Sequence, residues 1–199
     1  MTIYRFAALA PLTIALAACG GTPEKAATDS PTEAATTTAP EQLGTAELKT
    51  ADGKPAGTAT LLANGDAIEV MVNATGLGAG AHGFHLHQTG KCDAPDFKSA
   101  GGHLNPGDKE HGTENPKGAH LGDMPNLTID DNGNGSATVT LTGDRDYILS
   151  NIFDDDGTAI VIHEGPDDYK SDPAGDAGSR IACGVMEKAA PTAETTPAA

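Results

Sequence analysis

The chain has 199 residues, with 28 Asp and Glu against 12 Lys and Arg, a formal net charge of −16, 25 glycines and no tryptophan. So acidic a composition speaks against nucleic acid as a partner. It also repels anions in general, so an anionic substrate would need a local cation to overcome the overall field.

At the N-terminus Arg5 precedes an apolar run from Phe6 to Ala18, too short to cross a bilayer as a helix, which is the pattern of a processing signal. The run ends in Leu16-Ala17-Ala18-Cys19, which resembles a bacterial lipobox: small residues admit the peptidase and the cysteine takes a diacylglycerol. Residues 1–18 then form a lipoprotein signal peptide, and Cys19 is the lipidated mature N-terminus. That expectation places the protein in the bacterial cell envelope, facing the periplasm or the exterior and touching the membrane only through its lipid. An ordinary secretory signal is the alternative. Residues 19–42 are Thr, Ala, Pro and Glu with almost no large apolar side chain, so nothing offsets the entropy of ordering and the segment reads as a tether. "AAPTAETTPAA" (189–199) repeats that composition and reads as a disordered tail.

Residues 43–188 are one domain's worth, and their apolar residues recur with a period near two. Eight strands are predicted in chain order: "GTAELKTADG" (44–53), "GTATLLANGD" (57–66), "AIEVMVNATG" (67–76), "HGFHLHQ" (82–88), "NLTIDDNG" (126–133), "SATVTL" (136–141), "TAIVIHE" (158–164) and "SRIACGVM" (179–186). No ten-residue amphipathic helix is evident. The pattern implies an all-β, eight-stranded antiparallel Greek-key sandwich or flattened barrel. Two stretches break the rhythm, 89–125 and 164–178, and long loops in a compact domain are usually functional. "DDNGNG" (130–135) begins like a calcium loop, but its twelfth place is Leu141 and strands flank it, so it reads as a hairpin turn.

Chemistry concentrates in the histidines. His85 and His87 are two apart on a predicted strand, hence on one face and able to share an ion. His82 has the opposite parity and is expected to be a hydrogen-bonded structural residue. The first long loop adds His103, His111, His120 and Asp123, a full tetrahedral set for zinc, and His163 ends the strand "AIVIH". Spacing does not assign an ion to each donor, but this set exceeds what one zinc can use, so two metals are expected. The three cysteines of an exported chain leave one unpaired; lipidation of Cys19 removes the odd one and leaves Cys92 and Cys183 to bond each other.

Taken together, "HGFHLHQTG", "SAGGHLNP", "AHLGD", "VIHEG" and "GSRIACGV" resemble the copper,zinc superoxide dismutase family, in the same order and over nearly all of residues 43–187. The resemblance implies an enzyme that disproportionates superoxide to dioxygen and hydrogen peroxide, with copper and zinc as cofactors. Copper falls to His85, His87, His103 and His163, and zinc to His103, His111, His120 and Asp123, with His103 as the bridging ring and proton store. Asp167 matches the family's carboxylate linking His85 to His111, with neighbouring Asp168 as the rival. Arg180 matches the guanidinium that draws in the small anion, and Cys92–Cys183 matches the family's disulfide. The lysine and threonine expected at the channel rim are not identifiable in "YKSDPAGDAGS", where Lys170 is the substitute on offer. The loop after Gln88 resembles the bacterial branch, whose subunit pairing differs from the eukaryotic one, so both monomer and homodimer stay open. A non-catalytic copper- and zinc-binding envelope protein of the same fold is the alternative function.

Overall fold

The structure, a computed structural model, describes residues 39–190. The expected signal peptide, lipidated Cys19 and almost all of the tether and tail lie outside the described residues.

The chain opens with an antiparallel meander of β1 (Glu41–Thr50), β2 (Pro55–Asn64) and β3 (Ala67–Ala74); β2 and β3 pair in unbroken register, while β1 and β2 shift register between Gln42 and Gly44 and between Leu48 and Lys49. On β3, Ile68, Val70, Val72 and Ala74 are buried and the residues between them are less so, the alternation of a sheet with one face on a core. Next come β4 (Gly80–His82), β5 (Phe84–His87), β6 (Leu127–Ile129), β7 (Gly135–Thr140), a helix α1 (Arg145–Ile152), β8 (Ala159–His163), β9 (Arg180–Val185) and β10 (Glu187–Lys188). The main sheet runs β5-β8-β9-β1-β2-β3-β7, with β10 added to β1, and every pairing is antiparallel. It curls as a half-barrel around Leu48, Leu61, Val70, Phe84, Leu86, Ile160 and Ile162, while β4 and β6 form a separate two-stranded sheet.

Three expectations need correction. The tether does not reach Gln42: β1 starts at Glu41, because Glu41 and Gln42 still pair with Ala63 and Leu62 of β2. At the other end Ala189, placed in the tail, donates its N–H to the Leu43 carbonyl (2.8 Å). The strand "HGFHLHQ" is split at Gly83, whose N–H goes to Gly165 and whose carbonyl takes the His163 N–H, so His82 pairs with Leu127 while His85 pairs with Val161. Helix α1 was not expected. Asp144 caps it, accepting the Tyr147 N–H at 2.9 Å, and Ile148 and Ile152 bury one turn apart. Eight residues are too few for a helical period to stand out.

Strands β5 and β8 are buried on both faces. Phe84, Leu86, Ile160 and Ile162 fill the barrel core, whereas Ala159 and Val161 point outward into a satellite cluster with Phe97, Ala100 and Cys183. The first long loop therefore covers the outside of the sheet, and the Cys92–Cys183 disulfide pins it to β9 across 91 residues of sequence. Closing so long a loop is worth about 4–5 kcal/mol in the chain-entropy model. The outward residues His85, His87 and His163 thus face a covered space between sheet and loops.

Candidate metal centre

The free edge of β5 is completed by the loop rather than by a strand. Leu104 donates to the Leu86 carbonyl (2.8 Å), Leu86 to Gly122 (3.1 Å) and Gln88 to Gly102 (3.0 Å), which sets His103 opposite His87 and Asp123 opposite His85. A Cβ on Gly122 would collide with the Leu86 carbonyl oxygen, so glycine is what lets the loop run this close. From the other side a register shift between Ile162 and His163 pairs His163 with Arg180.

Two clusters result. In the first, one ring nitrogen from each of His85, His87, His103 and His163 lies within 4.8 Å of the others. Four buried atoms here have no hydrogen-bond partner: His85 Nδ1, His87 Nε2, His103 Nε2 and His163 Nε2. The opposite nitrogen of each ring is engaged. His85 Nε2 meets Asp167 Oδ2 (2.7 Å), His87 Nδ1 meets the Gly101 carbonyl (3.0 Å), and His163 Nδ1 meets the Gly178 carbonyl (3.1 Å). Each orphaned buried acceptor costs about 1–3 kcal/mol. Four of them aimed at one point are the donor set of a cation.

Burial pushes His87 down to about 2 and His103 and His163 down to about 4, and it lowers His85 as well. At neutral pH these rings carry no proton on the inward nitrogen, which leaves the lone pairs free for a metal.

In the second cluster, His103 Nδ1, His111 Nδ1 and His120 Nδ1 crowd one oxygen, Asp123 Oδ1, at 2.9, 3.0 and 3.2 Å. The other Asp123 oxygen accepts the backbone N–H of Gly112 and of His120 (both 2.9 Å). His120 Nε2 reaches the Lys109 carbonyl (3.1 Å), and His111 Nε2 reaches Asp167 Oδ1 (3.0 Å). Burial acts to raise Asp123, but hydrogen bonds from His103, His111 and His120 outweigh it and hold the carboxyl well below its usual range. Burial acts to lower His111, yet Asp123 and Asp167 together push it up to about 9. This cluster keeps an anion at its centre and pulls in positive charge, the donor chemistry of a closed zinc site.

His103 belongs to both clusters, one nitrogen in each. Asp167 spans them from outside, 4% exposed, and the Asn126 side chain grips its backbone from both directions: Nδ2 donates to the Asp167 carbonyl (2.9 Å) and Oδ1 accepts the Asp167 N–H (2.8 Å). The rival Asp168 is exposed and bonds Ser171 and Lys170 instead. Arg180 is half-buried and donates to the carbonyls of Phe97 (2.7 Å) and Gly101 (2.6 Å). The Gly101 oxygen serves both Arg180 and His87, tying the guanidinium to the first cluster. His82 joins neither cluster; its ring bonds the carbonyls of His163 (2.8 Å) and Gly78 (2.9 Å). Lys170, offered for steering, is paired with Glu114 at 2.7 Å. Asn126, Phe97, Tyr169 and Asp172, which accepts the His111 backbone N–H (2.6 Å), were not singled out from sequence. No motif marks them, because each makes a contact in which one of the two groups is backbone.

A family model described as "Copper/zinc superoxide dismutase (SODC)" matches residues 55–186. "Superoxide dismutase [Cu-Zn] 1" and "Superoxide dismutase [Cu-Zn] 2" of Aquifex aeolicus are 47% and 49% identical over 148 residues, 71% of this chain and 86% and 84% of theirs. Among solved structures, a SOD-like protein from Bacillus subtilis aligns with a TM-score of 0.68 at 36% identity, covering 74% of this chain and 100% of that one. The Cu/Zn superoxide dismutase from Brucella abortus aligns at 0.58 and 30% identity, covering 72% of this chain and 98% of that one.

Proposed function

The chain belongs to the copper/zinc superoxide dismutase family and is an enzyme that disproportionates superoxide with copper and zinc as cofactors; from that premise we propose which of its residues hold each ion and handle the substrate. Copper is assigned to His85, His87, His103 and His163, and zinc to His103, His111, His120 and Asp123. The observation that carries the assignment is the set of four partnerless buried nitrogens pointing at one place. All-nitrogen donors suit copper, whereas a closed set with one carboxylate suits zinc.

Copper held by His85, His87, His103 and His163 would supply the one-electron redox chemistry by which two superoxides and two protons become dioxygen and hydrogen peroxide. The residues do the rest. Arg180 binds and orients the anion, its charge guaranteed by a guanidinium that does not deprotonate. It meets the need set by the net charge of −16 for a local cation. His103 Nε2 is the atom that can store a proton between half-reactions and hand it to the second superoxide. Asp167 keeps His85 and His111 turned with their inward nitrogens toward the two ions.

The reading extends to location: Cys19 is lipidated and holds the domain at an envelope membrane, supported by Arg5 before the apolar run, by Leu16-Ala17-Ala18-Cys19 and by the odd number of cysteines. Metal analysis alongside superoxide consumption tests the assignment. One copper and one zinc per chain are expected in the loaded protein, with copper lost from His163→Ala and zinc lost from His120→Ala. Retention of both ions by either variant overturns it. Cys19→Ser is expected to move the protein from the membrane to the soluble fraction.

A further inference from the structure

The glycine at 175 answers to the metal centre as well as to its own backbone. It lies in the left-handed region at φ 64°, which strains an L side chain, though Tyr169 at 65° and Asp176 at 51° bear that strain in the same loop. What fails at 175 is space. A Cβ would overlap Asp167 Oδ1 and stand 2.7 Å from His111 Nε2. Those two atoms are themselves hydrogen-bonded at 3.0 Å, one half of the link in which Asp167 takes His85 on one oxygen and His111 on the other. Gly178 makes the contrast: φ is 80°, and the nearest atom to its Cβ would be 3.8 Å away, so that glycine serves only the turn.

The backbone holds Gly175 against this link. Its N–H donates to the Ser171 carbonyl (2.6 Å), and its own carbonyl accepts the Asp168 N–H (2.9 Å), closing the loop back onto the residue next to Asp167. The Tyr169 N–H donates to Asp167 Oδ1 (2.6 Å), so that oxygen already has two partners with Gly175 lying over it. On the far side a Cβ at Gly83 would lie 3.3 Å from Asp167 Cβ. Gly175 thus lies against the carboxylate and Gly83 against the stem of the same side chain.

We propose that Gly175 is a positioning residue for both metal sites: its bare Cα lets the 164–178 loop close directly on the Asp167–His111 hydrogen bond, shutting out water and fixing the carboxylate between the two rings. The proposal rests on the reading of Asp167 as the link between His85 and His111. With alanine at 175 either the carboxylate swings away or the loop lifts, and in both cases the rings lose the partner that orients their metal-facing nitrogens.

The test is a double-variant cycle on the full chain: Gly175→Ala, Asp167→Ala and the two combined, read by zinc affinity of the metal-free protein in chelator competition and by the electron paramagnetic resonance spectrum after copper loading. Each single variant is expected to weaken zinc about 10–100-fold and to shift the copper spectrum in the same direction. The double variant should bind zinc within about twofold of Asp167→Ala, because the carboxylate that alanine overlaps most is gone and the His111 ring, no longer held by Asp167, can move the few tenths of an ångström it needs. Losses that multiply, or a Gly175→Ala protein indistinguishable from the unaltered one, overturn the proposal. Should Gly175→Ala fail to fold while the double variant folds, the collision with Asp167 is the cause and the proposal stands; should both fail, glycine serves the turn and it falls. A silent Asp167→Ala would sink the link itself, a result distinct from a silent Gly175→Ala beside a damaged Asp167→Ala.

Discussion

On the side assigned to copper, three of the four donors ride on strands β5 and β8, placed by main-chain hydrogen bonds of the sheet; on the side assigned to zinc, every donor comes from residues 103–123 of a single loop. The inward nitrogens also differ. Those on the copper side have no hydrogen-bond partner, whereas those on the zinc side gather on Asp123. A strand-borne cluster keeps its shape without an ion because the sheet determines it. A loop-borne cluster has only its own polar contacts, so the ion becomes part of the loop's fold. Electron transfer is thus assigned to the rigid half and structural cohesion to the dependent half.

The largest effect is expected from His85→Ala, which removes a donor from the strand side: activity should fall to background with copper lost, while zinc stays within about tenfold of its usual affinity. Equal loss of both ions would show that the two halves are not separable. Arg180→Ala should come next, lowering the rate about 10–100-fold with both metals retained, since it removes a charge that meets the anion and no metal donor. Its remaining rate should also respond less to added salt. Asp123→Ala attacks the loop side. Zinc should be lost and the amides of residues 103–123 should exchange faster by hydrogen exchange, while those of β5 facing β8 remain protected. Deprotection of both alike would break the comparison.

The smallest effect concerns the pH dependence of stability in the metal-free protein. His87, His103 and His163 have folded values of about 2, 4 and 4 against an ordinary 6.5, so the unfolded chain binds protons first as pH falls. Their contribution is intact above 6.5 and lost as pH drops from there through about 4, and through about 2 for His87. His111 runs the other way: raised to about 9, it contributes fully below 6.5 and loses that contribution as pH climbs through 9. The metal-free protein should therefore melt highest near neutrality and the loaded protein should show a flatter profile between pH 5 and about 9. Identical profiles with and without metal would argue that these rings do not bind ions.

Much of this was visible in the chain. The period-two pattern implied the antiparallel sheet, and "HLH" placed His85 and His87 on one face by parity alone. Ligand types were legible because few residue types bind metals and they stand in dense, spaced groups. What stayed hidden depends on contacts between distant segments. Nothing local distinguishes Asp167 from Asp168; the former is buried because Asn126, 41 residues away, grips its backbone, and the latter turns outward to Ser171. Helix α1 escaped because its buried face is two residues, Ile148 and Ile152.

Sequence by itself determined most of the strand-forming segments, the histidines and the carboxylate that gather in the two clusters, and the pair of cysteines, because alternation and side-chain chemistry are local properties. Only the tertiary structure decided that β5 and β8 would be buried on both faces, that Asp167 rather than Asp168 would turn inward, and that Arg180 and His87 would share the Gly101 carbonyl. Those outcomes come from the loop folding back over the sheet, where hydrogen bonds between residues far apart in the chain set the angles of the rings. No period or spacing along a single strand encodes such angles.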